Sequence, residues 1–365
     1  MTLLVVFVVF FLIQLYYYLG IYLPLLFFKE DKSNLKQEPV SVIICARNEA
    51  QNLERNLRFV LEQNYPDFEV IVVDDCSTDN TDEVLGIYLT KYKNLKTTTI
   101  PLDRKFSHGK KLAVTVGIKS ATNENLIFTD ADCTPESENW LGTMQRHFLK
   151  KDIVLGYGGY EYSRGILNNY IRYDALTIAM QYLGFARAGI PYMGIGRNLG
   201  YKKSLFFQNK GFAKHYGVLS GDDDLFVNEV SNKKNTTITI NPESFTRSVP
   251  KATWSEFFTQ KVRHFTTSDK YKSFHIFLIG MESVSRAWFY TTLIILLTLT
   301  QYYKLAAIVA CFRLLLQIII YGIAGNRFKE KNIWLTCFIF DVISLFFNFV
   351  AYFSQAVRGK KNKWK

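Results

Sequence analysis

Residues 2–28 read TLLVVFVVFFLIQLYYYLGIYLPLLFF, a run without one charged side chain. A helix of about 20 apolar residues already spans the ~30 Å hydrocarbon core of a bilayer, so this run is long enough to cross one. A cleaved signal peptide has a shorter apolar core, basic residues before it and a small-residue cleavage site after it. Nothing basic precedes the run, and Tyr16, Tyr17 and Tyr18 fit an interfacial aromatic belt. The chain is expected to begin with a membrane anchor, residues 1–28.

A second apolar region, residues 274–356, is strongest at 288–300, 305–324 and 333–353. The last two stretches can each span a bilayer. The first does so only if extended back through Ser283 and Arg286, or it begins as an interfacial helix. Glu282, Arg286, Arg313 and Asp341 lie in or beside these stretches. Such charges are costly in lipid and are expected to pair with one another or to line an acceptor path. Lys29, Lys32 and Lys36 follow the first span, and Arg327, Lys329 and Lys331 mark a later loop. By the positive-inside rule these place the middle of the chain in the cytoplasm, under an inner cell membrane. The basic tail, residues 357–365, carries Arg358, Lys360, Lys361, Lys363 and Lys365 and prefers the same side. Three full C-terminal spans would put it outside, so one segment is re-entrant or interfacial, or the tail breaks the rule.

Composition fits this division. Hydrophobic residues make up 48% of 365, yet the net charge is +12 and the mean hydropathy only +0.02. The values average two unlike solvents. Aromatics at 16% exclude a disordered chain, and five cysteines without CxxC spacing give neither a disulfide scaffold nor a zinc finger. The lysines beside the spans explain the positive charge at a membrane surface, and no nucleic-acid partner is expected.

Residues 38–265 have a different texture. Short apolar runs at 40–45, 68–73, 97–100 and 125–129 alternate with helical patterns at 48–63, 81–91 and 110–120. That alternation predicts an α/β domain with a mostly parallel sheet and covering helices. In open sheets of this kind ligands bind beyond the carboxyl ends of the strands. Three polar clusters fall there: Arg47-Asn48-Glu49, Asp74-Asp75 and Asp130-Ala131-Asp132.

Carboxylates two apart, as in Asp130 and Asp132, offer the hard oxygen donors that Mg²⁺ or Mn²⁺ takes alongside substrate phosphates. Asp74-Asp75 reads as turn or cap chemistry before Ser77, or Asp75 accepts a hydrogen bond from a base or ribose. Lys110, in His108-Gly109-Lys110-Lys111, is a solvated helix start or a cation near phosphate. The GDDDL run brings Asp222, Asp223 and Asp224 together, and their repulsion is expected to raise at least one pKa, as suits a general base. The same run also reads as the acidic first turn of a helix, 222–230. Gln260, Arg263 and His264 share one face at i, i+3, i+4 of a helix over 254–265. There Arg263 can grip phosphate oxygens, or the basic side meets lipid headgroups.

In order, VSVIICARNEAQNL, FEVIVVDDCSTDNT, GKKLAVTVGI, FTDADC, SGDDDLF and QKVRH resemble a membrane-anchored, inverting family-2 glycosyltransferase of GT-A fold, over about 40–264. The resemblance implies a nucleotide cradle at Arg47, Asn48, Glu49 and Asp75, with Lys110 near the phosphates. It implies Mg²⁺ or Mn²⁺ on Asp130 and Asp132, Asp132 the closer ligand, and Asp223 as the base. Gln260, Arg263 and His264 would lie near the donor diphosphate and the acceptor. The loop 193–198 resembles the acceptor-proximal glycine-containing loop. Two departures stand out: Ala46-Arg47 precedes Asn48-Glu49, and His264 replaces the Trp of the polymer synthases' QxxRW. The expected activity is transfer from a nucleotide-sugar, UDP-linked, to a lipid or lipid-linked hydroxyl. A processive polysaccharide synthase is the alternative, and a non-catalytic nucleotide-binding membrane protein the remote one.

Overall fold

The computed structural model of the chain describes residues 1–30, 36–102, 109–218 and 220–358. Lys32, His108, Lys360, Lys361, Lys363, Lys365 and the side chain of Arg358 lie outside the described residues.

The strands are β1 Val40–Ala46, β2 Phe68–Asp75, β3 Leu95–Ile100, β4 Asn125–Asp130, β5 Cys133–Pro135, β6 Ile153–Leu155, β7 Gly158–Tyr160, β8 Leu199–Lys202, β9 Thr236–Ile238 and β10 Thr246–Ser248. Seven of them form one sheet in the order β3-β2-β1-β4-β8-β6-β9. Pairing is parallel among β3, β2, β1 and β4 and antiparallel on both sides of β8. β5, β10 and β7 form a second, small sheet. The mostly parallel α/β sheet expected from the sequence is present, and its first four strands are the four apolar runs. The six later strands are three or four residues long, too short for a period-2 pattern to show.

β1 explains the sheet's burial. Val40, Val42 and Ile44 face one core, where Leu53, Leu57 and Trp140 cover them. Ile43 faces the other, beside Val114 and Ile118. Strands buried on both faces read as unbroken apolar runs.

The second core does not stop at the sheet. It continues through the helix Ile166–Arg187 to Tyr17, Tyr18, Ile21 and Tyr22 of the N-terminal segment, and to Tyr321, Ile333 and Phe340 near the C-terminus. The expected interfacial belt is therefore only partly one: Tyr16 is exposed, while Tyr17 and Tyr18 are buried. Tyr17 donates its hydroxyl to the Leu278 carbonyl at 2.6 Å. Burial against protein outweighs the interface there, because a six-residue π-helical stretch, Tyr17–Tyr22, turns these rings inward.

Among the described residues three helical segments are long and apolar enough to cross a membrane: Thr2–Leu26, Tyr303–Arg327 and Cys337–Gln355. The stretch 288–300 is the end of one continuous 27-residue helix, Ser273–Leu299, which packs along the N-terminal segment through Phe7 and Phe289, 5.0 Å between ring centroids. Residues 333–335 form a separate 3₁₀ turn ahead of the last helix, Cys337–Arg358. The four charges pair with one another. Arg286 and Arg313 reach Asp341 at 2.8 and 2.9 Å, and Glu282 lies 3.5 Å from Arg286.

Candidate functional site

β4 delivers Asp130 to the carboxyl edge of the sheet, and the chain crosses Ala131 to Asp132 before turning into β5. Asn56, buried in the helix Ala50–Leu61, pins this crossing. Its amide donates to the Ala131 carbonyl at 3.2 Å and accepts from the Thr134 hydroxyl at 2.9 Å. Ligand atoms of Asp130, Asp132 and Cys133 lie within 4.8 Å of one another. Burial, then Asp130, pushes the Asp132 carboxyl up. A divalent cation would relieve both effects, so the donor set fits Mg²⁺ or Mn²⁺, with Asp132 the freer of the two carboxylates. The Cys133 thiol, a soft donor, sits 3.3 Å from the Asp132 carboxylate and suits a hydrogen bond to it better than a hard ion.

Lys110 opens the helix Lys110–Ser120 and places Nζ 2.7 Å from Asp130 and 3.4 Å from Asp222. Burial works against its charge, but Asp130, Asp222 and Asp223 reverse that and raise its pKa well above the usual value. Asp130 is correspondingly held down: burial pushes its carboxyl up, and Lys110 more than offsets this.

Asp223 stands across the same small cavity, which Lys110, Asp130, Gly196 and Asp222 also line. It caps the helix Asp224–Val230, two residues later than the acidic turn expected at 222. One oxygen accepts the Gly196 N–H at 2.6 Å and the other the Asp224 N–H at 2.8 Å. Burial, then Asp222 and Asp224, pushes this carboxyl up to about 7. A Cβ on Gly196 would stand 3.1 Å from Lys110 Nζ and 3.2 Å from Asp223 Oδ2, so glycine lets the loop close on both. That loop is fixed from below by Asn198, fully buried, which accepts from Trp140 Nε1 at 3.1 Å and donates to the carbonyls of Tyr157 and Ser244.

At the ends of β1 and β2 the two expected nucleotide segments are stitched together. Asn48, at φ 56°, donates its N–H to Ser77 Oγ and accepts from Thr78 N at 2.7 Å. Asp74 accepts from the Ser77 N–H and hydroxyl. Asp74 is thus the turn residue and Asp75 the buried carboxylate at the strand end. Glu49 accepts from Asn52 at 2.5 Å. Burial raises its carboxyl, as do Asp132 and Asp130. Arg47 lies half-buried at the end of β1.

The helix Trp254–Ser268 closes the open side. Gln260 donates to Tyr160 Oη at 3.2 Å, Arg263 is close enough to lower the Asp130 carboxyl, and His264 is exposed. Lys261, on another face, ion-pairs with the buried Asp174 at 2.9 Å.

Two contributors were not legible as individuals. Arg197 places its guanidinium carbon over the Tyr160 ring, 4.4 Å from the centroid, beside Asp130 and Asp132, and its Nη1 is buried without a hydrogen-bond partner among the described residues. Its signal was the glycine-containing loop 193–198. Tyr160 ends a three-residue strand that no pattern marks.

Residues 41–208 match the model "Glycosyl transferase family 2". The chain is 38% identical over 104 residues to the glycosyltransferase AglE of Haloferax volcanii, covering 28% of this chain and 33% of that one. It is 33% identical over 95 residues to the poly-beta-1,6-N-acetyl-D-glucosamine synthase of Staphylococcus epidermidis, covering 26% and 22%. These alignments span a third or less of those relatives' own lengths. The structure is similar to that of the mannosyltransferase PcManGT from Pyrobaculum calidifontis in complex with GDP-Man and Mn²⁺, with a TM-score of 0.61 and 19% identity, over 94% of this chain and 97% of that one. Residues 41–208 thus match a glycosyl transferase family 2 domain, and the chain as a whole shares the fold of that mannosyltransferase.

Proposed function

We propose that the protein is an inverting glycosyltransferase that moves a sugar from a UDP-linked donor to a lipid or lipid-linked hydroxyl at the cytoplasmic face of a membrane. The observation that carries this reading is one cavity holding Lys110, Asp130, Asp222 and Asp223 at the carboxyl edge of the sheet. Asp223 takes the proton of the acceptor hydroxyl. The oxygen attacks the anomeric carbon from the face opposite the diphosphate, the bond to the diphosphate oxygen breaks, and nucleoside diphosphate leaves. Asp132, with Asp130, would hold Mg²⁺ or Mn²⁺, which neutralises charge on the leaving diphosphate. Lys110 and Arg263 add fixed positive charge there. Arg47, Asn48, Glu49 and Asp75 cradle the nucleotide, while Gln260 and His264 stand on the acceptor side.

The catalytic unit, residues 38–265, works against a membrane region comprising the anchor 1–28 and the helices over 274–356. That packing, through Tyr17 and Phe340, supports an acceptor drawn from the bilayer. Purified full-length protein with Mn²⁺, donor and membrane lipid should release nucleoside diphosphate. Asp223→Asn should slow that release by about 10²–10⁴-fold, and an unchanged rate would remove Asp223 as the base. A screen of UDP- against GDP-sugars tests the donor. Because one relative is a polysaccharide synthase, product length on a gel tests single transfer against polymerisation.

A further inference from the structure

The turn after the helix Tyr303–Arg327 enters the family 2 domain and buries a charge there. Glu330 is 3% exposed. Its carboxylate accepts from Arg172 Nε at 2.7 Å and from Tyr157 Oη at 2.7 Å, and it pairs with Arg247. The guanidinium groups also hold the turn's backbone: Arg247 Nη2 donates to the Phe328 carbonyl at 2.9 Å and Arg172 Nη2 to that of Lys331 at 3.1 Å. A Cβ on Gly159 would collide with Arg247 and Glu330, so the space is filled.

Arg247 is the middle residue of β10, whose next residue is Ser248. Neighbours on a strand project to opposite faces. Arg247 therefore meets Glu330 on one side, while Ser248 faces the other. Val249 N–H donates to the Asp132 carbonyl at 3.3 Å, and Ser248 pairs in register with Cys133. β10 also holds the Arg197 loop, through Thr246 Oγ1 to the Arg197 carbonyl at 3.0 Å.

We propose that Glu330 is a positioning residue for the metal centre: by clamping Arg247 it fixes β10, and the Val249 N–H at the end of β10 holds Asp132 in its ligating pose. The membrane region thereby sets the metal affinity of the catalytic domain. This rests on the metal assignment made under the proposed function. Groups that orient a metal's ligands typically change affinity about 10–100-fold when removed.

The test is Mn²⁺ binding to the full-length chain in detergent, read by the electron paramagnetic resonance signal of free Mn²⁺, with the metal dependence of turnover alongside. Glu330→Gln should weaken Mn²⁺ about tenfold or more, with turnover largely recovered at saturating metal. Val249→Pro, which removes the N–H donated to Asp132 and leaves the Glu330 cluster intact, should shift affinity in the same direction, so the proposal remains testable if Glu330→Gln fails to fold. Unchanged affinity in a folded Val249→Pro, or in a folded Glu330→Gln, would overturn the proposal while the metal centre stands. A wild-type chain that bound no Mn²⁺ would overturn the metal centre as well.

Discussion

In the proposed reaction the chemistry concentrates on one carboxyl, that of Asp223. Burial and the flanking carboxylates of Asp222 and Asp224 bring its pKa from 3.8 to about 7, close to the optimum for a base working near neutrality. A base acts when ionised, so kcat/KM for nucleoside diphosphate release should fall as pH drops through about 7. The same shift bears on stability. The folded chain binds more protons at this site than the unfolded chain between pH 3.8 and about 7, so its contribution to stability declines as pH rises across that window. Asp223→Asn keeps an acceptor for the Gly196 N–H and removes the repulsion. Its melting temperature should exceed the wild type's at pH 8, with the gap closing by pH 5; a constant gap would contradict the coupling.

Among the elements, the helix Trp254–Ser268 bears most on the site, because three expected residues ride on it. Its start is set by a capping box. Thr253 Oγ1 accepts the Glu256 N–H at 3.2 Å, and Glu256 accepts the Thr253 N–H in return. Phe257 and Val262 bury the inner face against the domain, which leaves Gln260 on Tyr160 and Arg263 near Asp130. Removing the cap by Thr253→Ala should cost about 1 kcal/mol and speed amide exchange in the first turn. Donor affinity should weaken less than under Arg263→Ala, since the buried face still fixes the later turns. β10 shows the same logic at smaller size: three residues connect the turn at Phe328, the strand that follows the carboxylate pair and the Arg197 loop.

The molecule as a whole is held by a core that passes without interruption from the sheet into the long apolar helices, and by a polar cluster within those helices. Asp341 accepts from Arg286, Arg313 and Tyr290, Gln14 joins the cluster through Arg313 at 3.0 Å and Ser285 at 2.7 Å, and Glu282 flanks it. Two arginines balanced by two acids leave no net charge to bury. Asp341→Ala removes one acid and leaves two arginines around a single carboxylate. It should destabilise the full-length chain by about 3–5 kcal/mol, read as a lower melting temperature in detergent. Asp341→Asn, which keeps part of the hydrogen bonding, should lose less.

How much of this is legible in the amino-acid order follows from the range of the forces involved. Largely apolar runs of six residues, 40–45 and 68–73, announce β1 and β2, because a strand buried on both faces needs no partner to be recognised. The uncharged 27-residue run announces a span for the same reason, and carboxylates at strand ends announce a cation and phosphate site. The short strands, the inward turn of Tyr17 and Tyr18 and the stacking of Arg197 on Tyr160 are not local properties. Each depends on groups tens to hundreds of residues away, brought together by packing. The same holds for Glu330: alone it is one acid in a basic loop, and only the fold places it between Arg172 and Arg247. Composition and periodicity determine which segments form long apolar helices and which build the sheet; side-chain packing at long range decides which charges face each other, and so where the proposed chemistry can occur.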